Sequence, residues 1–299
     1  MSTKIRIVLP DGSMEEVVNG LMTKAGMPVT VSKRRTKEGT TPVPWIQKVV
    51  YQRPQEIPHW LYMDLFDIAI CGEDWIRDWN YSFPVLAKLP IGRSGTRPVR
   101  IVVAVSKESG ISRASELPFG AKVATEYMRL ASHHFHTMRS RSDIKILPSY
   151  GNTEHKIRFG ADAIVDVVES GRALEENGLV IIEEIMESST VIVATDNALG
   201  SKTKKSFLGH FAALIVAAYE SSSFVQLTAN VPDRIVPQAA KIMGGLKGPS
   251  RSRLCGVRGW SALQSMVPVA KEHEVMFSLS RIGVKDIIVN RNLPLVMRG

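Results

Sequence analysis

Aromatic residues are scarce, at 7% of the 299 residues. None of the basic runs is interleaved with them, so the stacking surface of a single-stranded nucleic-acid binder is excluded. Cysteine is nearly absent: Cys71 and Cys255 lie far apart. That rules out a disulfide framework and predicts free thiols in a reducing, cytoplasmic setting. No long hydrophobic run is present. The longest, FAALIVAAY at 211–219, falls well short of the roughly 20 residues needed to cross a bilayer and reads as a buried helix. The opening MSTKIRIVLP goes directly into a strand-like pattern, without the charged start and apolar core of a secretion signal. Neither a membrane nor a nucleic acid is therefore expected as a partner. There is also no internal repeat and no low-complexity tract.

What is present is a globular composition, 44% hydrophobic and 22% charged, with a net charge of +9. That surplus suits an anionic partner, polyphosphate small molecules included. The basic runs Lys33-Arg34-Arg35-Thr36-Lys37, Lys202-Thr203-Lys204-Lys205 and Arg251-Ser252-Arg253 read as solvated loops. The length exceeds one ordinary core, so two or three domains are expected.

Strand-like and helix-like segments alternate. Lys4–Leu9 is a strand turning at Pro10-Asp11-Gly12-Ser13 into a helix over 14–24, with Ser13 as N-cap and Glu16 completing a capping box. Strands follow at 29–31, 48–51 and 66–71, then a short helix over 73–78. A second unit starts near Arg97, with strands at 99–105, 120–124, 144–147, 163–167 and 180–185 and helices at 128–139 and 173–177. The strand at 190–195 should return to the first unit, ahead of a long helix over 204–221. This predicts mostly parallel α/β sheets with a cleft at strand carboxyl ends. From Phe224 on, the order β-α-β-β-α-β is ferredoxin-like.

The segment DAIVDVVESGRALEENGL, 162–179, carries the chemistry. Asp162 and Asp166 have equal strand parity and so share a face. Carboxylates at a strand end suit ribose hydroxyls or a Mg²⁺ ion. The turn Glu169-Ser170-Gly171-Arg172-Ala173 opening a helix offers backbone N–H groups to a phosphate, and Arg172 adds charge. On pattern alone, an acidic strand end before a capped helix is also a common structural feature.

Longer stretches carry a resemblance. VATEYMRLASHHF (123–135) and YGNTEHKIRFGADAIVDVVESGRALEENGLVIIEEIMESST (150–190) closely resemble the ATP phosphoribosyltransferase family. So do LPDGSMEE, YQRPQEIP and DLFDIAICGEDWI in the first part, and NVP, GGLKGPS and GWSALQSMVP in the last. The resemblance covers essentially the whole chain and points to the long, histidine-regulated form. It implies an α/β fold of two periplasmic-binding-protein-like lobes (a type IV phosphoribosyltransferase), 1–96 with 188–222 and 97–187. A ferredoxin-like, ACT-like regulatory domain follows at 223–299. It implies transfer of 5-phosphoribosyl from 5-phosphoribosyl 1-diphosphate to N1 of ATP, with Mg²⁺, as the first step of histidine biosynthesis. It further implies inhibition by histidine and a hexamer.

By that resemblance Asp162 and Asp166 hold ribose, and Glu169, Ser170, Gly171, Arg172, Ala173 and Leu174 hold the 5′-phosphate. Arg53 and Asp74 face the diphosphate and nucleotide across the cleft, Glu154 lies at its rim, and Gly12 and Ser13 contact substrate. An acid at the start of a helix, such as Asp74, is as often merely stabilising. The histidine pocket is placed near Asn230, Pro249 and Ser250. Three positions depart from the family pattern. Asp11 stands where Lys is usual, Gln55 where many members have Lys, and Ala173 where Thr is frequent. Asp11 is expected to repel a triphosphate, by a few kcal/mol (about) if the site is dry, and it motivates a second reading as a weakened, ligand-sensing relative. His133, His134 and His136 lack the acid or Cys a zinc site needs and read as a solvated helix face. Cys71 reads as a small buried side chain.

Overall fold

The computed structural model describes residues 4–31, 37–293 and 295–296, so positions 33–36 of the first basic run lie outside the described residues. Strands β1 (Ile5–Pro10), β2 (Thr30–Val31), β3 (Glu38–Thr40), β4 (Ile46–Gln52), β5 (Ile68–Gly72) and β6 (Val85–Leu89) begin a first sheet. The chain then builds a second from β7 (Val99–Ser106), β8 (Lys122–Thr125), β9 (Lys145–Pro148), β10 (Ala163–Val168) and β11 (Leu179–Ser188). It returns through β12 (Thr190–Ala194), which inserts between β5 and β6. The first sheet has the order β2-β3-β4-β1-β5-β12-β6 and the second β11-β7-β10-β8-β9. These are two α/β lobes, and β12 rejoins the first as its pattern predicts.

The sheets are mixed rather than mostly parallel. In the first, only β4-β1 and β1-β5 run parallel; in the second, only β8-β10 and β8-β9 do. The returning strands β11 and β12 enter antiparallel, because the chain crosses between sheets instead of winding one sheet throughout. Apolar runs such as β5 and β12 are buried on both faces. In β7, Ile101, Val103 and Val105 pack into one core while Val102 and Ala104 pack into another, the two-residue period of a strand covered on both sides.

Local expectations are also corrected. Ser13 is not an N-cap: it lies inside a 3-10 turn, Gly12–Met14, and the helix runs Glu15–Lys24. The helix expected over 128–139 is α-helical only for Met128–Ser132 and continues as a π-helix, His133–Met138. His134 is therefore not on a solvated face. It is buried beside Glu183, 3.4 Å away, and burial holds its imidazole below the usual range against the pull of Glu183. His136 bonds Ser132 and the Ile144 carbonyl. Cys71 is buried, and burial pushes its thiol up. Asp67, 2% exposed, accepts hydrogen bonds from the Arg6 backbone N–H at 2.7 Å, from Arg6 Nε and Nη2, and from Lys204 Nζ at 2.9 Å. This ties β1 to the long helix Lys202–Ser221.

Contacts divide the chain into two compact units. One comprises the residues up to Gly20 with Met27–Ala212, and so holds both lobes. The other comprises Leu21–Gly26 with everything from Ala213 on, so the division falls within the helix Lys202–Ser221. In the second unit, β13 (Phe224–Pro232), β14 (Ser250–Arg253), β15 (Trp260–Pro268) and β16 (Lys285–Asn290) form a sheet of order β14-β15-β13-β16, with helices Val236–Met243 and Glu272–Arg281. This is the ferredoxin-like order. The stretch Arg251-Ser252-Arg253, read as a basic loop, is an edge strand whose residues are all exposed. None of the described helices is long and apolar enough to cross a membrane.

Candidate functional site

Three turns converge at the carboxyl ends of the parallel trio β4-β1-β5: Asp11-Gly12-Ser13, Arg53-Pro54-Gln55 and Gly72-Glu73-Asp74. Such strand ends are where open α/β sheets bind ligands. Opposite them stand Glu126 and Tyr127 after β8, Glu154 after β9, and the Glu169-Ser170-Gly171 turn after β10. Gly12 has φ +73°, a left-handed turn that glycine adopts without strain. Gly72 is needed for space, since its φ of −77° suits any residue. A Cβ there would lie 2.1 Å from Asp74 Oδ1.

The residues enclose adjoining chambers. A first, of about 250 Å³, is lined by Asp11, Gly12, Ser13, Arg53, Gln55 and Asp74, with Met14, Trp75 and Ile91 as apolar wall. A second, of about 450 Å³, is lined by Glu154, Asp166, Glu169, Ser170, Gly171 and Ala173. They share Arg93, Val99, Glu126 and Val167. A third opening beside Tyr150 shares Arg53, Gln55, Trp75 and Glu126 with the first. Glu126 therefore touches all three.

Asp166 lies in the second chamber. Burial pushes its carboxyl up to about 6. The Val167 N–H, at 2.7 Å, and Arg93 oppose the shift, and Glu154 and Glu126 add to it. Asp162 does not join it. It is exposed, lines neither chamber, and accepts the Lys122 N–H at 2.8 Å. Equal parity places the two acids on one face, but four strand residues, about 13 Å, keep them at opposite ends. Arg172 also points elsewhere: it is exposed and pairs with Glu176 at 3.6 Å. Leu174 does reach the second chamber's lining, while packing in the core with Val102 and Ala104 beneath the turn. Glu169 accepts a hydrogen bond from Ser94.

Asp74 is a strut rather than a free ligand. Its Oδ1 accepts from Ser188 Oγ and its Oδ2 from Tyr127 O–H, both at 2.7 Å. Tyr127 stacks on Trp75 with centroids 4.2 Å apart, and burial beside Asp74 drives its phenol well up. Gly72→Ala is expected to push this carboxylate aside and lower stability by about 1–3 kcal/mol, an overpacking cost. A urea midpoint equal to wild type would show that Asp74 yields without loss. Asp11 is not an isolated negative charge facing the cleft. It is 7% exposed, with Lys37 Nζ 3.1 Å from Oδ2 and Arg53 Nη1 3.9 Å from Oδ1. Arg93, Glu126 and Tyr127 were not identified from sequence. Arg93 sits in a loop with no periodicity, and the other two lie within VATEY, a stretch that supports the resemblance without marking a role.

The ATP phosphoribosyltransferase family model matches residues 53–215, more than half of the chain, and the C-terminal domain model of the same family matches 222–291. The chain belongs to the ATP phosphoribosyltransferase family. Relatives agree from end to end. The ATP phosphoribosyltransferase of Pelotomaculum thermopropionicum is 30% identical over 285 residues, covering 95% of this chain and 96% of that protein. That of Desulforudis audaxviator is 29% identical, covering 97% and 100%. Among solved structures, the ATP phosphoribosyl transferase (HisG:HisZ) complex from Thermotoga maritima superposes with a TM-score of 0.59 at 25% identity, covering 71% of this chain and 98% of that one. The C-terminal family domain marks the long form. The activity is that of a pentosyltransferase in histidine biosynthesis.

In the second unit, Asn230 lies on β13 and Ser250 opens β14. Ser250 pairs with Gln264, which pairs with Thr228. Asn230 and Ser250 thus share the sheet face turned away from the core residues Leu227, Ala229 and Val231. They stand two strands and two residues, about 12 Å, apart. Pro249 immediately precedes the edge strand.

Proposed function

We propose that the second chamber takes 5-phosphoribosyl 1-diphosphate and the first takes ATP, with the reacting atoms meeting at the wall formed by Arg93, Val99, Glu126 and Val167. The observation that carries this is the shared wall: two adjoining chambers of different lining suit a transfer between two bound substrates. Adenine N1 attacks the ribose C1. The C1–N1 bond forms as the bond from C1 to the diphosphate oxygen breaks, and the diphosphate leaves with that electron pair. No covalent protein group is required. Asp166 accepts hydrogen bonds from ribose hydroxyls and opposes the positive charge that builds at C1. The Ser170-Gly171 turn takes the 5′-phosphate through backbone N–H groups. Arg93, on the shared wall, neutralises the departing diphosphate, and Arg53, in the first chamber, meets the phosphates of the nucleotide.

Mg²⁺ would travel with the diphosphate. Such an ion keeps several waters and binds through one or two carboxylates and substrate phosphates. Glu154 and Asp166 are the carboxylates that would meet it, and it would supply charge neutralisation. The same reading includes feedback inhibition by histidine near Asn230, Pro249 and Ser250, a homo-oligomer, as a hexamer, and work in the cytoplasm. The test is diphosphate release from ATP and phosphoribosyl diphosphate with Mg²⁺, with and without histidine. No turnover at high enzyme concentration overturns the substrate assignment, and turnover indifferent to histidine overturns the regulatory part alone.

A further inference from the structure

The charged lining of the first chamber does not by itself suit a polyphosphate. Asp11, Asp74 and Glu126 face Arg53 and Arg93, three carboxylates against two guanidiniums. The missing positive charge stands just outside. Lys37 Nζ is 3.1 Å from Asp11 Oδ2 and 3.5 Å from Glu15 Oε2. Its side chain is half-exposed, and the Asp11 hydrogen bond, partly offset by burial, raises its pKa, so it is charged. Its backbone takes φ 51°, where side chains other than glycine are uncommon. The Tyr51 N–H bonds the Lys37 carbonyl there at 2.9 Å.

Asp11 has a matching peculiarity. Its carboxylate is more than nine-tenths buried, yet Oδ1 has no hydrogen-bond partner among the described residues. An orphaned buried carboxylate oxygen is costly unless another state of the site completes it. Arg53 Nη1 stands 3.9 Å from it, close enough for attraction but too far for a hydrogen bond. The Arg53 side chain is largely exposed and makes no hydrogen bond among the described residues.

We propose that Lys37 binds polyphosphate and that Asp11 is a positioning residue. Its buried carboxylate presents Lys37 and Arg53 as an oriented pair at the mouth of the first chamber. The triphosphate of the acceptor nucleotide lies against both cations, and Arg53 closes onto Asp11 Oδ1 as it settles. The cation and the carboxylate that aims it thus come from separate places in the chain. This rests on the reading that the first chamber takes ATP.

The experiment uses the full chain and steady-state kinetics in which ATP and phosphoribosyl diphosphate are varied separately, for Asp11→Asn, Lys37→Met, Lys37→Arg and the Asp11→Asn, Lys37→Met pair. Asp11→Asn and Lys37→Met are each expected to raise KM for ATP about tenfold, the scale of one charged hydrogen bond. kcat should stay within about twofold, and KM for phosphoribosyl diphosphate should not change. Lys37→Arg should keep most of the affinity. The pair should be little worse than either single change, since both remove the same grip. A lower KM for ATP in Asp11→Asn would show that Asp11 only repels phosphate, and it overturns the proposal. Additive effects, or a lowered melting temperature with unchanged KM, overturn it as well. A wild-type chain that turns over normally beside an unaffected Asp11→Asn indicts the proposal alone. A rise in KM for phosphoribosyl diphosphate instead of ATP indicts the chamber assignment beneath it.

Discussion

Asp166→Asn is expected to lower kcat/KM by about a thousandfold, near 4 kcal/mol, while making the protein more stable. The first effect follows from the proposed role: it removes a preorganised carboxylate from the place where positive charge would build at C1, a loss on the scale of a deleted oxyanion-hole donor. The second follows from the pKa of about 6 that burial imposes on this group, against an ordinary value of 3.8. A carboxyl raised on folding binds its proton more tightly in the folded chain. As pH rises from about 4 to 6 the unfolded chain ionises first, and the folded state loses roughly 3 kcal/mol relative to it. At pH 7 that cost is fully present, and asparagine removes it. Wild-type kcat/KM should also fall as pH drops through about 6, while the variant's residual rate should lack that inflection. Steady-state rates from pH 5 to 8 with thermal melts of both proteins check all three statements. A variant with wild-type kcat/KM would end the ribose assignment.

Asp67→Asn is expected to do the reverse, leaving the chemistry intact and lowering stability by about 3 kcal/mol. Burial alone would raise this carboxyl, but the hydrogen bonds from Arg6 and Lys204 prevail and hold it below the usual range. Removing the charge leaves two cations against an enclosed amide, the costly half of a buried ion pair. For a depressed carboxyl the contribution is complete above the unfolded-state pKa near 4 and is lost as pH falls through the folded value. The variant should therefore show a flatter acid limb, and the two proteins should converge as pH falls below the folded value. Urea unfolding at pH 7 and at acid pH measures this. Equal midpoints at pH 7 would show that the Arg6–Asp67–Lys204 network adds nothing.

Asp67 stands just before the apolar run of β5 and Asp166 inside that of β10, and only their surroundings set them apart. What the sequence made legible was what repeats along the chain. The apolar runs of β5, β7 and β12 gave the sheets, and DVVESG gave the turn after β10. What it hid depends on strand ends and edges. The parity that pairs Asp162 with Asp166 is correct for the face but silent on which end of the strand holds the ligand. Ser250–Arg253 carries no apolar alternation because an edge strand with both faces wet needs none. Arg172 is basic and close to the turn, yet one helical turn on, Glu176 offers it a partner outside the chamber. Asp11 shows the largest gap. Its sign suggested repulsion, and only folding brings Lys37 and Arg53, 26 and 42 residues further along the chain, to its two oxygens.

The wall that the two chambers share has a consequence for the end of the cycle. On the proposed assignment each substrate is held, before reaction, by one chamber and can leave by itself. Afterwards a single molecule carries both sets of contacts, and parting from one chamber keeps it tethered in the other at high effective concentration. The product is thus expected to bind more tightly than either substrate and to depart only when the lobes separate. Relaxation of the lobes, rather than bond formation at C1, would then set the pace of turnover.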